Sequence, residues 1–435
     1  MTVAEVRLWG TTIGAVSVEL AGEPAVFEYT PEFASSGIEV APLAMPLSRA
    51  LYRFTSLGEA FHGLPGLLAD SLPDKFGNAV LDAWLAAQGR SPQDINAVER
   101  LLYAADRGMG ALEFRPALGP RGDASKPLEV AALVELANEV LRERSLLQES
   151  FGDSTKERAL REILRVGSSA GGARAKAVIA WNPATNEVRS GQVQAPEGFG
   201  YWLLKFDGVA ANRDRELTDP LGYGAIEYAY SQMARAAGIE MSECRLFEEN
   251  GRRHFMTRRF DRRDNGEKLH MQSLAALAHL DFNLAGAHSY EQALLVARRL
   301  GLPPESIEEL FRRMCFNVVA RNHDDHVKNL AFLMDRRGRW SLAPAFDLNY
   351  AFNPQGAWTS RHQMTLNGKR DDFTLADFRA VARTALLPRG RERALLAQVT
   401  AAVARWPEFA ASADVPPARA TLIAHHHRLD LTPRV

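Results

Sequence analysis

Residues 3 to 30 alternate apolar and polar side chains around Gly10, Gly14 and Gly22. A period of two broken at glycines predicts β-hairpins, because successive side chains of a strand face opposite ways. From Ser71 the period changes. In SLPDKFGNAVLDAWLAAQGRS, Leu81, Trp84 and Leu85 recur at helical spacing and Gly89 is placed to end the helix. PALGPRGDASKP, residues 116 to 127, is rich in Pro, Gly and small polar residues and reads as a linker with a boundary near 120. LEVAALVELANEVLRER then predicts a helix, YWLLKFDG a buried strand interrupted by Lys205, and GAIEYAYSQMARAAG a helix carrying Glu227. ECRLFEENGRRHFMTRRFDRR predicts a hairpin turning at Asn250 and Gly251.

Beyond Met271 the pattern is predominantly helical, in SYEQALLVARRLG, PESIEELFRRMCFNVVARN, TLADFRAVARTALL and ERALLAQVTAAVARW. One stretch breaks it. LAFLMDRRGRWSLAPAFD has two apolar runs separated by a charged turn with Gly338, the pattern of an antiparallel hairpin. The expected order is a β-rich module (1–120), a β-rich lobe (121–260) and a helical lobe (261–435), an α+β chain. His425 to His427 fall on an expected polar helix face and receive no role.

Composition narrows the function less than the pattern does. The 435 residues suffice for two or three domains, and 46% hydrophobic with 24% charged residues is an ordinary globular balance. A formal net charge of −1 supplies no global drive toward nucleic acid or anionic membrane. Cys244 and Cys315 are the only cysteines, which excludes a disulfide framework and a CxxC metal pair. MTVAEVRLWG lacks a basic start followed by an apolar core, and no apolar run is long enough to span a bilayer, so cytoplasm is the expected compartment.

The decamer RNHDDHVKNL, residues 321 to 330, carries the sharpest chemistry. Asp324 stands five positions before Asn329, the kinase spacing of a catalytic aspartate and a metal-holding asparagine. Asn329 precedes the hairpin and Asp347 follows it, so antiparallel strands should return both to one end, near Asp324. One carboxylate could accept a hydroxyl proton while a second carboxylate and an amide oxygen hold magnesium on nucleotide phosphates. The bland alternative makes these residues caps and turns; another makes His323 and His326 ligands of zinc or a transition metal. A buried-strand lysine must snorkel or meet an anion, and Glu227 is the candidate partner of Lys205. In VGSSAGGARAKAVIAW, Gly167 and Gly172 have GxxxxG spacing, but Ala173 stands where a P-loop needs lysine. The segment is a tight turn or a glycine-rich phosphate cradle, and is not a Walker A motif.

Taken together, LPGLLADSLPDKFG, GMGALEF, SSAGGARAK, LLKFD, RRFDR, HMQSLAAL, RNHDDHVKNLAF and LAPAFDLNY resemble the HipA-like serine/threonine kinases, toxin halves of bacterial type II toxin–antitoxin modules. The resemblance covers nearly the whole chain. It implies a bilobed protein-kinase-like core behind a HipA-type N-terminal subdomain, with ATP and magnesium as cofactors. By position, Lys205 would contact ATP phosphates, Asp324 would be the catalytic residue, and Asn329 and Asp347 would hold the metal. Arg258, Arg259 and Phe260 would form the interlobe connection that receives adenine, the two arginines through their backbone, and Gly171 and Gly172 would cover the phosphates. Some relatives have an acidic residue at the position of Arg258. Ser169, or its neighbour Ser168, would be autophosphorylated. A phosphoserine there would add roughly −1.5 to −2 charge units beside the ATP phosphates, favouring an ejected loop. Implied partners are a small DNA-binding HipB-like antitoxin, DNA through that antitoxin, and a protein substrate such as an aminoacyl-tRNA synthetase. A pseudokinase scaffold and a kinase of lipids or small molecules are the alternative readings.

Overall fold

The alternating N-terminal stretch forms β1 (Thr2–Leu8), β2 (Thr11–Val18) and β3 (Val26–Tyr29). With β4 (Tyr52–Arg53) and β5 (Leu112–Arg115) they make an antiparallel sheet in the order β4-β3-β2-β1-β5. Ala4, Val6 and Leu8 face one core with Ile13, Val16, Phe27 and Phe114, as the period of two requires. Gly14 is obligatory here, since a Cβ would lie 2.3 Å from the Glu28 carbonyl oxygen.

This computed structural model describes residues 1–20, 22–119, 127–143, 163–164, 174–209 and 222–431. Ser168, Ser169, Gly171 and Gly172 lie outside the described residues.

The second sheet runs β7 (Glu187–Ser190), β6 (Lys176–Asn182), β8 (Gly200–Lys205), β10 (Arg252–Arg258), β9 (Cys244–Glu249). Its last two strands turn at Asn250 and Gly251, both left-handed (φ 48° and 75°), the geometry that makes Asn-Gly a hairpin signal. The helix expected from Leu81, Trp84 and Leu85 spans Lys75–Ala87 and is capped by Asp74, whose side chain accepts from the Gly77 amide at 2.7 Å. Its apolar face, with Phe76, Val80 and Leu85, shares a core with Val134, Ile179, Leu204 and Met256 of the second sheet and its helix Val130–Glu143. The apolar cores therefore do not divide where the linker does.

The largest core joins the helix Tyr223–Ala236 to the C-terminal helices, with Tyr230, Phe311, Phe316, Phe378 and Trp406 almost wholly buried. Set against it, β11 (His270–Ser273), β13 (Ala331–Met334) and β14 (Trp340–Leu342) form a small sheet in the order β11-β13-β14, while β12 (His288–Ser289) pairs separately with Met364–Thr365. The β13–β14 hairpin is the expected one, its turn held by Asp335 accepting from the amides of Arg337 and Arg339. β11 was not foreseen: four residues that run straight into a helix carry no legible period. Two of the histidines near 425 differ as well. His425 is exposed as expected, but His426 Nδ1 lies 2.6 Å from the Tyr350 hydroxyl and His427 Nε2 3.0 Å from that of Tyr230, so these two pack inward instead of joining a polar face.

The signature segments of the first module prove to be its docking surface. Asp70 accepts from the amide (2.6 Å) and hydroxyl (2.9 Å) of Ser273, and Gly66 donates to His279 Nε2 at 3.0 Å. A Cβ at Gly66 would meet the Ala276 carbonyl at 2.2 Å, so only glycine allows this approach. In GMG, the Gly110 amide donates to Asp261 at 2.7 Å, and its carbonyl accepts from Arg262 at 2.8 Å. Asp261 is fully buried between Arg259 and Arg262, at 2.7 Å from each. Burial alone would raise its pKa, but the two guanidiniums outweigh that and hold it well below the usual carboxylate range. Such a group stabilises the fold above the unfolded carboxylate pKa and loses that contribution as acid protonates it. Asp261→Ala leaves two buried guanidiniums without their anion and should cost about 3–5 kcal/mol in urea unfolding at neutral pH. A loss below about 1 kcal/mol would show the cluster to be incidental.

Candidate functional site

Lys176 opens β6 and Lys205 closes β8, and the two face one another across the ladder. Opposed lysines repel, so the pair requires anions. The helix Tyr223–Ala236 supplies Glu227, 2.5 Å from Lys205 Nζ, and the segment after β14 supplies Asp347, also at 2.5 Å. The first module supplies Asp74, 3.4 Å from Lys176 Nζ. Lys205 and Glu227 are buried, 8% and 2% exposed, so the pairing expected from the sequence is formed. Burial would lower the lysine's pKa, yet Asp347 and Glu227 overcome this and raise it. Glu227 is pushed up by burial and by Asp347 despite Lys205, whereas Asp347, against the pull of burial, is held well down by Lys205 and Lys176. Both carboxylates share the one ammonium at equal distance, and Arg174 stands 4.0 Å from Glu227 on its other side. These charges line a cleft whose apolar walls include Leu203, Met241, Phe346 and Leu348.

Asp347 has φ 56°, a left-handed conformation that is strained for a non-glycine residue and is tolerated mainly where surroundings enforce it. The hairpin returns the chain as expected. Asp347 lies near enough to Asp324 that its charge raises the Asp324 pKa, adding to the larger effect of burial, while His326 and Trp358 oppose. The Asp324 side chain nevertheless keeps 44% of its surface exposed, so it can be reached from solvent. Its Oδ1 accepts from the Trp358 indole at 2.9 Å. Asn329 donates its side-chain nitrogen to the Asp324 carbonyl at 2.8 Å, which leaves its amide oxygen as the group that could face a cation. Carboxylate and amide oxygens are the donor set that magnesium prefers.

Arg258 to Phe260 are not among the residues lining this cleft; Thr257 is. The Arg258 amide donates to Glu243 O at 2.8 Å and its side chain pairs with Asp264. The Arg259 amide donates to Tyr201 O at 2.9 Å, while its guanidinium joins the Asp261 cluster. Phe260 packs on Phe346, ring centres 5.6 Å apart. His326 Nδ1 accepts from the Lys328 amide at 3.3 Å, and among the described residues no group of three or more His, Cys, Asp or Glu could hold a metal.

Sequence reasoning passed over Lys176, Asp74 and Asp325. Lys176 carried the same signal as Lys205, a lone cation at the end of an apolar run, in AKAVIAW. Asp74 reads as a helix cap and is one, so its second task has no separate signature.

Comparison with known proteins fits this architecture. A family model described as the HipA N-terminal domain matches residues 4–115, and one described as the HipA-like C-terminal domain matches residues 168–406. A Sinorhizobium fredii protein named "Putative kinase Y4dM" is 26% identical over 186 residues, which span 38% of this chain and 41% of that relative. HipA of Shewanella oneidensis MR-1, solved in complex with HipB and its operator DNA, superposes with a TM-score of 0.66. At 18% identity, covering 97% of this chain and 94% of that one, the likeness shows a shared fold. No helix among the described residues is long and apolar enough to cross a membrane. With the two matches in order along the chain, and the second spanning more than half of it, the protein belongs to the HipA family.

Proposed function

We propose that this protein is an ATP- and magnesium-dependent serine/threonine protein kinase, acting as the growth-inhibiting toxin of a type II toxin–antitoxin pair. The observation that carries the reading is the ion pair of strand Lys205 with helix Glu227, set beside Asp347 in the cleft. In kinases a strand lysine so paired contacts nucleotide phosphates. The second sheet and the helical core would be the two lobes, with the sequence divisions near 120 and 260 marking functional units rather than separate cores. The base of ATP would lie among Leu203, Met241 and Leu348, and its phosphates near Lys205 and Lys176.

Asn329 and Asp347 would hold magnesium, which when bound offsets charge on the phosphates. Asp324 then accepts the proton of the acceptor hydroxyl. Its raised pKa makes it a stronger base than an exposed aspartate, and the Trp358 bond to Oδ1 fixes the orientation of its carboxylate. Family membership favours a protein acceptor, with an aminoacyl-tRNA synthetase as the first class to test. It also favours a HipB-like antitoxin partner, through which a nearly neutral chain would reach operator DNA in the cytoplasm. Autophosphorylation of Ser169, or of Ser168, would switch the kinase off.

Incubation with γ-labelled ATP and a cell lysate tests the reading directly: a labelled serine or threonine in one lysate protein is expected, and no transfer at any magnesium concentration would end it. Asp324→Ala should lower turnover by roughly two to four orders of magnitude, and activity within a few-fold of wild type would exclude the base. Ser169→Ala should keep substrate activity and lose the decline seen during incubation with ATP. Equal inactivation of variant and wild type would remove the switch.

A further inference from the structure

Three consecutive residues of the decamer grip one short segment. His323 Nδ1 lies 3.0 Å from the Thr359 carbonyl, and Asp324 accepts from the Trp358 indole at 2.9 Å. Asp325 accepts from His362 Nδ1 at 2.7 Å and from the Gln363 amide at 2.7 Å. It also accepts from the Tyr290 hydroxyl at 2.6 Å, which in turn accepts from Asn317, itself bonded to Asn322. Asp325 is 4% exposed, and His323 and His362 are wholly buried.

We propose that Asp325 is a positioning residue that sets the orientation of Asp324 through the segment Trp358–Gln363. The inference rests on the kinase reading and extends it. Adjacent residues of an extended loop point opposite ways, so Asp324 faces outward, 44% exposed, while Asp325 points into the core. A carboxylate that turns about its χ1 and χ2 bonds must be held before it can meet a hydroxyl productively, and misplacement by about 1 Å can cost roughly a hundredfold in rate. Here the holding group is the Trp358 indole. Trp358 is half-buried and cannot be fixed by packing alone; its segment is anchored at the far end by the two bonds from His362 and Gln363 to Asp325. The path runs from Asp325 through the segment to Trp358, and from Trp358 back to the neighbouring Asp324.

The network also indicates which substitution isolates the effect. Oδ2 of Asp325 serves Tyr290 and His362, while Oδ1 serves only the Gln363 amide. Asn at this position keeps its oxygen for the first two and presents an NH2 group to the third. Asp325→Asn therefore breaks one of the segment's two anchors, the one at Gln363, while leaving those to Tyr290 and His362 in place.

The test measures kcat and the KM for ATP in the full-length protein carrying Asp325→Asn, Trp358→Phe or both, each with its melting temperature. Each single variant should lower kcat roughly 10- to 100-fold with the KM for ATP within about threefold of wild type. The double variant should be about as slow as the worse single one, because both changes remove the same support. Multiplicative losses, a KM for ATP rising in step with the fall in kcat, or Asp325→Asn within about threefold of wild type would each overturn the proposal. Should Asp325→Asn fail to fold, Tyr290→Phe removes one donor at constant shape: a fall of roughly 3- to 10-fold confined to kcat supports the path, and unchanged kcat overturns it. A wild type that transfers no phosphate removes the kinase reading itself, which separates that failure from this one.

Discussion

The ammonium of Lys205 is the point on which the second sheet, the helix Tyr223–Ala236 and the hairpin sheet converge. A lysine 8% exposed at the end of a strand is costly to bury unless its charge is met. It is met twice, from two directions, by Glu227 and Asp347. The directions of the pKa shifts show which effect wins: burial alone would neutralise both lysine and aspartate, yet both are held ionised. Glu227, the more deeply buried of the two carboxylates, is pushed up by that burial and by Asp347 against the pull of Lys205 and Arg174. Counting formal charges, Lys205, Lys176 and Arg174 stand against Glu227, Asp347, Asp74 and Asp324. The excess is negative. A seat of that kind is better balanced with a divalent cation than without one, and the oxygen donors of Asn329 and Asp347 are suited to one.

Most of the fold was legible because local periods and local turns agree in this chain. The Asn250-Gly251 turn, the Gly338 hairpin and the helix ending before Gly89 are all decided within a few residues, and all formed as expected. The convergence of Asp347 on Asp324 was legible for the same reason, since a hairpin is a local device with a long-range result. The allocation of core residues was not. The helix Lys75–Ala87 has one apolar face and no way to declare which sheet it covers; it covers the second, although the chain places it in the first module. Nor could the sequence assign Arg259. A basic residue after a strand suits a cleft or an interface equally well, and only the position of GMG in space decides for the interface.

The first module is accordingly more than an appendage. Its Asp70, Gly66 and Gly110 touch the turn before Leu274, the helix after it and the Asp261 cluster, while Asp74 reaches the cleft itself. Its short motifs look arbitrary in the module taken alone, since none of them is needed to build a five-stranded sheet. They make sense as the complement of another surface: glycines where backbones approach, carboxylates where an amide or a lysine waits. One consequence is that Lys176, on the second sheet, is held by a residue from the first module, so the geometry of the cleft depends on how that module is seated.

Asp324 and Asp325 show how far a motif can carry an argument and where it ends. Side by side they are chemically identical, and spacing to Asn329 selects the first as the base. What distinguishes them physically is the set of donors around each. One carboxylate, 44% exposed, accepts a single indole bond; the other accepts three, in the core. A carboxylate held by three donors and only 4% exposed is closed to a substrate hydroxyl, and one with a single donor has an oxygen to spare. The partners that make the difference, Tyr290, Trp358, His362 and Gln363, lie 34 to 38 positions away in sequence, beyond any periodicity or motif that a single chain displays.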